Sequence, residues 1–247
     1  ALPWSNIAPP FIVVTVVDAA NGPKTLDDQF EAVSQVAMAD LLVLSKADLV
    51  APERVVMFEE RLRALNSTAR ILHALRGEGV AGKLWGLSGL RKGAARDDVL
   101  SWTTGRDAPA APVHVMSGNT AAASVADPFA NLSGLAASPS TPMSHSRHDA
   151  RIETASIILD APLTDQVFDD WLNTLTAKRG PNLLRVKGVV FLKGIDAPFV
   201  FHGVQNIFDP PLPVKDWPSD DRRSRIVVIA RDIPRAELEH SLNMLRA

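Results

Sequence analysis

Hydrophobic positions in the first hundred residues alternate between two rhythms. Nearly unbroken apolar runs at 12–17 and 41–44 predict strands buried on both faces, as in a parallel sheet. Between them Leu26, Phe30, Val33, Val36 and Ala37 recur at spacings of three and four after an Asn21-Gly22-Pro23 turn, which predicts one amphipathic helix. Pro52 and Glu53 open a second helix with Val56, Leu62 and Leu65 expected to face inward. Residues 70–74 read as a third strand, and a weaker helical stretch at 97–102 closes the unit. Strands alternating with helices in this way predict an α/β unit, a parallel sheet covered by helices.

The rhythm then stops. From 104 to 147 Ala, Ser, Thr, Gly and Pro dominate, no Lys or Glu occurs, and periodicity is lost, which reads as a flexible linker. Beyond it a strand at 152–159 precedes a helix at 165–177 with Val167, Phe168, Trp171, Leu172 and Leu175 on one side. Strands at 183–192, 199–205 and 224–230 and a helix at 234–245 follow. This β-α-β-β-β-α order predicts a small α+β domain with helices on one face of a mainly antiparallel sheet. The expected division is 1–103, linker 104–147, and 148–247, with no internal repeat.

Composition narrows the functions. Twenty-six basic residues against 28 acidic ones give a net charge of −2, so no field gathers phosphate backbones or anionic lipid, and neither a nucleic-acid nor a membrane partner is expected. The chain has no cysteine, which excludes disulfides, thiolate zinc sites and a cysteine nucleophile. No apolar run approaches the ~20 residues of a spanning helix, and the N-terminal residues resemble no secretion signal, so a cytoplasmic location is expected.

Chemistry concentrates at Ser45-Lys46-Ala47-Asp48, directly after the buried run 41–44. In open α/β sheets ligands collect in crevices outside the carboxyl ends of strands. A carboxylate there can accept hydrogen bonds from the two N–H groups on a guanine edge, while a lysine stem lies across the base plane; adenine would leave the carboxylate unpaired. The plainer alternative is a solvated βα turn. Gly77-Glu78-Gly79-Val80-Ala81-Gly82-Lys83 has phosphate-loop spacing, but Leu84 follows where a metal-binding hydroxyl is needed, so a surface turn is expected. Asp18 ends its strand without a second acid nearby and is given a structural role. His145, His148 and Asp149 are too few for a firm metal site, and His202 reads as a satisfied core or groove histidine. Phe168 and Trp171 are core positions. Arg185, Lys187, Arg222, Arg223 and Arg225 form one candidate positive face for an acidic partner, with solvated rim charges as the commoner case.

Taken together, these segments resemble the CobW-type GTPases, a family that includes metallochaperones and activators of nitrile hydratase. Val16-Val17-Asp18-Ala19, Gln35, Ala39-Asp40 and Ser45-Lys46-Ala47-Asp48-Leu49 resemble its guanine-binding half, and Asn66-Ser67-Thr68-Ala69 its "NPTA" turn. Leu183-Leu184-Arg185-Val186-Lys187-Gly188-Val189 resembles its "lRvKGil" strand. Phe201-His202-Gly203-Val204-Gln205 and Arg223-Ser224-Arg225-Ile226-Val227-Val228-Ile229 resemble the strands that follow. The resemblance implies a partial P-loop GTPase sheet followed by a CobW C-terminal domain. It also implies binding of GTP with Mg²⁺ and hydrolysis coupled to delivery of a metal such as zinc or cobalt to a client metalloprotein. Ser45, Lys46 and Asp48 become the expected base-binding residues, with no catalytic or metal-ligating residue assigned. Three features depart from the family. Ser45 stands where its motif has asparagine, its Cys-x-Cys-Cys motif has no counterpart, and its phosphate loop is absent, as in a member with its front portion removed. Hydrolysis by this chain alone is therefore not expected. A half-sheet of this kind would expose an unpaired edge and promote self-association. The alternative is a non-enzymatic module whose C-terminal domain binds a client protein.

Overall fold

The structure is a computed structural model that describes residues 12–75, 80, 148–214, 217 and 221–246. Its first unit is a parallel sheet of three strands, β1 (Val14–Asp18), β2 (Leu41–Ser45) and β3 (Arg70–Ala74), in that spatial order. Helices α1 (Gly22–Asp28) and α2 (Phe30–Met38) connect β1 to β2, and α3 (Pro52–Leu65) connects β2 to β3. The expected single helix is thus two, because Gln29 takes an extended conformation (φ −133°, ψ 110°) between them. One core joins Val17, Leu42 and Leu44 of the sheet to Leu26, Val33, Val36, Phe58, Leu62 and Leu65 of the helices.

Two orientations differ from expectation. On α3 Leu62 and Leu65 face inward as expected, but the first turn presents Val55 and Phe58 to the core and leaves Val56 56% exposed. On β1 the described residues cover only one face. Val17 is buried, but Val14 and Val16, pointing the other way, are 42% and 68% exposed. A continuous apolar run shows the capacity for burial on both faces, but not that both are covered. The expected helix at 97–102, the Gly77–Lys83 stretch other than Val80, and the linker lie outside the described residues.

The second unit runs β4 (Ile152–Leu159), α4 (Asp165–Arg179), β5 (Leu183–Val190), β6 (Phe199–Val204), β7 (Ile207–Phe208), β8 (Leu212–Pro213), β9 (Ser224–Arg231) and α5 (Arg235–Asn243). The sheet is antiparallel throughout in the order β4-β9-β5-β6-β7, with β8 also paired to β6. The two-residue strands β7 and β8 add to the expected order; runs this short carry no periodicity to read. Thr164 caps α4 by accepting a hydrogen bond from the Val167 amide at 3.2 Å. One face of the sheet packs Val186, Val190, Phe201, Ile226 and Val228 against Phe168, Trp171 and Leu175 of α4 and Leu238 and Leu242 of α5.

The other face of this sheet receives the first unit. Ala37 of α2 packs with Leu184 and Ile229, flanked by Met38, Ile152 and Val227. Arg61 of α3 reaches across to Asp149 with two bonds, Nε to Oδ2 at 2.7 Å and Nη2 to Oδ1 at 3.0 Å. The Arg151 and Arg231 guanidiniums lie 4.3 and 5.5 Å from the centre of the Phe30 ring.

Candidate functional site

β2 delivers the site. Leu41, Leu42, Val43 and Leu44 are buried, and at Ser45 the strand emerges. The Ser45 hydroxyl donates to the Val17 carbonyl at 3.1 Å, tying the carboxyl ends of β2 and β1 together. Lys46 then adopts the left-handed conformation (φ 58°, ψ 26°), uncommon for a side chain of its size, and turns the chain into a 3₁₀ turn at Ala47–Leu49. The turn places Asp48 outward. Its carboxylate is exposed and has no hydrogen-bond partner among the described residues.

Asp18, at the matching end of β1, is fully engaged. It accepts bonds from the Ala20 amide at 2.7 Å, the Asn21 amide at 3.0 Å and the Asn21 side chain at 3.2 Å, and it pairs with the Lys46 ammonium at 2.8 Å. Partial burial would raise its pKa, but the bonds from Lys46, Asn21 and Ala20 outweigh that and hold it at about 2. Asp18 therefore shapes the turn after β1 and anchors the lysine that precedes Asp48, in line with the structural role expected of it. The arrangement at this strand end is one exposed carboxylate, without a hydrogen-bond partner among the described residues, two positions after a lysine fixed by Asp18, where a ligand offering adjacent N–H donors would find an acceptor.

Arg185 and Lys187 read differently in space than in sequence, while Arg222, Arg223 and Arg225 fit the commoner case of rim charges and His202 is the satisfied interior histidine expected. Arg185 and Lys187 do not line a positive face. They are 1% and 0% exposed, and both bond Oδ1 of Asp40, Lys187 at 2.9 Å. The reason is register: both residues alternate onto the sheet face that the first unit covers, directly opposite Asp40. Arg223 and Arg225 pair with Asp221 at 2.9 and 2.7 Å, and Arg222 approaches Asp196 at 3.7 Å, so these cations already have local partners. His202 is 2% exposed, with Nδ1 3.1 Å from Arg185 Nη2 and Nε2 2.7 Å from Asp209 Oδ2. Burial, reinforced by the Arg185 charge, lowers its pKa to about 4, so the ring is neutral at pH 7 and Nδ1 accepts from the guanidinium.

His148 sits against the Phe30 ring, 5.9 Å between centres, and both oxygens of the adjacent Asp149 are taken by Arg61. His145 lies outside the described residues. Among the described residues no group of three or more His, Asp or Glu side chains is placed to hold a metal ion. No helix among them is long and apolar enough to cross a membrane.

Asp40 and Asn66 enter the sequence reading only as part of the family resemblance, with no role given to either. Asn66 is completely buried and makes six hydrogen bonds. Its amide nitrogen donates to the carbonyls of Val36, Ala37 and Ala39, at 2.9, 3.0 and 2.9 Å. Its oxygen accepts from Thr68 N, Thr68 Oγ1 and Ala69 N. It thereby clasps the end of α2 to the turn leading into β3. The available signal was a lone charge ahead of a buried strand, and two cations alternating within an apolar one.

This geometry defines a class: a parallel α/β unit with a polar turn at the carboxyl end of its central strand, joined to an α+β domain. Comparison with known families places both parts. Residues 8–73 match the CobW/HypB/UreG nucleotide-binding domain, and residues 152–246 match the cobalamin synthesis protein cobW C-terminal domain. The chain therefore resembles these two domain models, each over less than half of its length. Two solved structures share the fold. A zinc-bound triple mutant of the YjiA GTPase is 20% identical with a TM-score of 0.63, and the zinc-bound YjiA GTPase from E. coli is 20% identical with a TM-score of 0.59. Each match covers 95% of this chain and 60% of the other, so this chain spans less than two thirds of their length. The expectation of a missing phosphate-loop portion draws no support from the domain match, which assigns residues 8–73 to the nucleotide-binding domain.

Proposed function

We propose that the carboxyl end of β2 receives the base of a guanine nucleotide, and that the chain is the C-terminal part of a CobW-like GTP-binding protein whose GTP hydrolysis drives metal or cofactor delivery. Asp48 accepts from the two N–H groups of the guanine edge. Lys46 lays its methylene stem against the base plane while Asp18 holds its ammonium. Ser45 acts by holding the two strand ends together. The observation that carries this reading is the uncommitted, outward-facing Asp48 carboxylate on a turn fixed by left-handed Lys46, at the end of a central parallel strand. The nucleotide-binding domain matched over residues 8–73 supports it.

The 247 residues alone do not hydrolyse GTP in this proposal. Their one Gly-x4-Gly-Lys run ends in Leu84, which offers no hydroxyl to Mg²⁺, and phosphoryl transfer depends on positioning and charge stabilisation. Zinc as cargo rests on the zinc-bound YjiA structures. The proposed division remains 1–103, linker 104–147 and 148–247.

Calorimetric titration of the full chain with GDP, ADP and XDP tests the base site. The wild type is expected to prefer GDP. Asp48→Asn exchanges an acceptor for a donor, so it should weaken GDP by about 10- to 100-fold and gain XDP, whose O2 accepts where guanine donates. Equal binding of GDP by the wild type and Asp48→Asn would overturn the proposal. A chain that binds no guanine nucleotide but captures a client through its C-terminal domain would instead be a protein-interaction module.

A further inference from the structure

The contact between the two units is built around buried charge where apolar side chains would ordinarily lie. Asp40 precedes β2, and it knots the amino ends of all three strands. Its amide donates to the Val13 carbonyl at 2.8 Å, its carbonyl accepts from the Arg70 amide at 3.1 Å, and its Oδ2 accepts from the Val13 amide at 3.0 Å. Its Oδ1 receives both Arg185 and Lys187 from the second unit. Lys187 also donates to the Thr68 carbonyl at 3.3 Å, in the turn that Asn66 organises. The first unit thus offers a socket made by Asp40 and Thr68, and β5 inserts two cations into it.

We propose that Asp40, Arg185 and Lys187 form a reversible latch that docks the C-terminal domain on the amino end of the parallel sheet, opposite Ser45–Asp48, and releases it as a unit. Two observations and one general property of buried ion pairs support release as well as docking. The closed latch leaves Arg185 Nε and Nη1 buried with no hydrogen-bond partner among the described residues, and opening returns water to them. Buried ion pairs add little net stability relative to apolar groups of similar volume, because the open state recovers hydration. The apolar contact alongside is small, centred on Ala37, Leu184 and Ile229. An interface of this kind specifies one docked geometry without making it costly to leave.

The cysteine-free sequence allows a direct test, since spin labels can be attached to the full chain at Glu53→Cys on α3 and Asp170→Cys on α4, both exposed. Pulsed electron spin resonance then reads the distance distribution between the units. Asp40→Asn should raise the open, long-distance fraction at least tenfold over the otherwise wild-type chain. The apolar replacement Asp40→Leu, Arg185→Met, Lys187→Met should reduce the open fraction below wild type, because nothing is then gained by hydrating the socket. An open fraction unchanged by Asp40→Asn, or an apolar triple variant as open as Asp40→Asn, would overturn the latch. Should Asp40→Asn fail to fold, the triple variant decides by itself. A more closed distribution than wild type supports the latch; an equal or wider one, or failure to fold, refutes it.

Discussion

Replacing Asn66 by alanine tests whether a single side chain holds the first unit in the shape that presents both β2 and the docking socket. The substitution removes six hydrogen bonds in a place water does not reach, since Asn66 is 0% exposed. The Val36 carbonyl keeps a second partner, the Ala39 amide at 3.3 Å. The carbonyls of Ala37 and Ala39, the amides of Thr68 and Ala69 and the Thr68 hydroxyl lose the partner that Asn66 supplies. The two amide hydrogens and two oxygen lone pairs of Asn66 supply about four full bonds shared over these six contacts, so at roughly 1 kcal/mol net for each the variant should be less stable by about 4 kcal/mol. That is a large share of the roughly 5–15 kcal/mol that holds a domain together, and it corresponds to a fall in Tm of roughly 8–16 °C. Urea unfolding followed by far-ultraviolet circular dichroism measures it. Asn66→Asp separates the two halves of the network. It keeps the acceptor for Thr68 and Ala69 but sets a carboxylate oxygen against three carbonyls, so at pH 7 it should be no more stable than the alanine variant. A cost below about 1 kcal/mol for Asn66→Ala would show that the clasp does not hold α2 to the β3 turn.

Two further outcomes follow from the second unit. Burial, only partly offset by Asp40, brings the Lys187 ammonium down to about 8 from 10.5. Its folded value is below its unfolded value, so the native state sheds the proton first and should gain stability as pH rises from about 8 towards 10.5. Lys187→Met should lack this gain, and parallel urea midpoints for the two proteins across that range would refute it. Gly188 has no room for a side chain: a Cβ there would lie 2.4 Å from the Phe201 ring and 3.0 Å from the Arg225 carbonyl. Gly188→Ala should cost about 1–3 kcal/mol and alter the fluorescence of Trp171, whose ring is 6.4 Å from that of Phe201; an unchanged spectrum and midpoint would refute the packing argument.

Periodicity located most elements because it follows from local geometry. The bounds of β3 and β4, at Arg70–Ala74 and Ile152–Leu159, coincide with the sequence reading. Where it failed, the deciding force was tertiary. Leu26 through Ala37 carry one helical rhythm, yet the chain breaks at Gln29. Val56 fits a helical stripe, yet the sheet lies one residue to its side, under Val55 and Phe58. Ser45, Lys46 and Asp48 could be singled out because a polar string after a buried strand stands at a strand end in any α/β unit. The left-handed Lys46 and its pairing with Asp18, 28 positions away, could not.

The sequence by itself determined the alternation of buried strands and amphipathic helices, the change of regime after residue 103, and the family resemblance of both ends. All of these are carried by residue types at short, fixed spacings. Tertiary structure alone decided that Arg185 and Lys187 are interior residues and that Asp40 is their counter-charge. The physical reason is separation along the chain: Asp40 and Arg185 stand 145 positions apart. An isolated strand bearing two cations reads as a solvated rim until another unit covers that face and supplies the carboxylate that makes burying them tolerable.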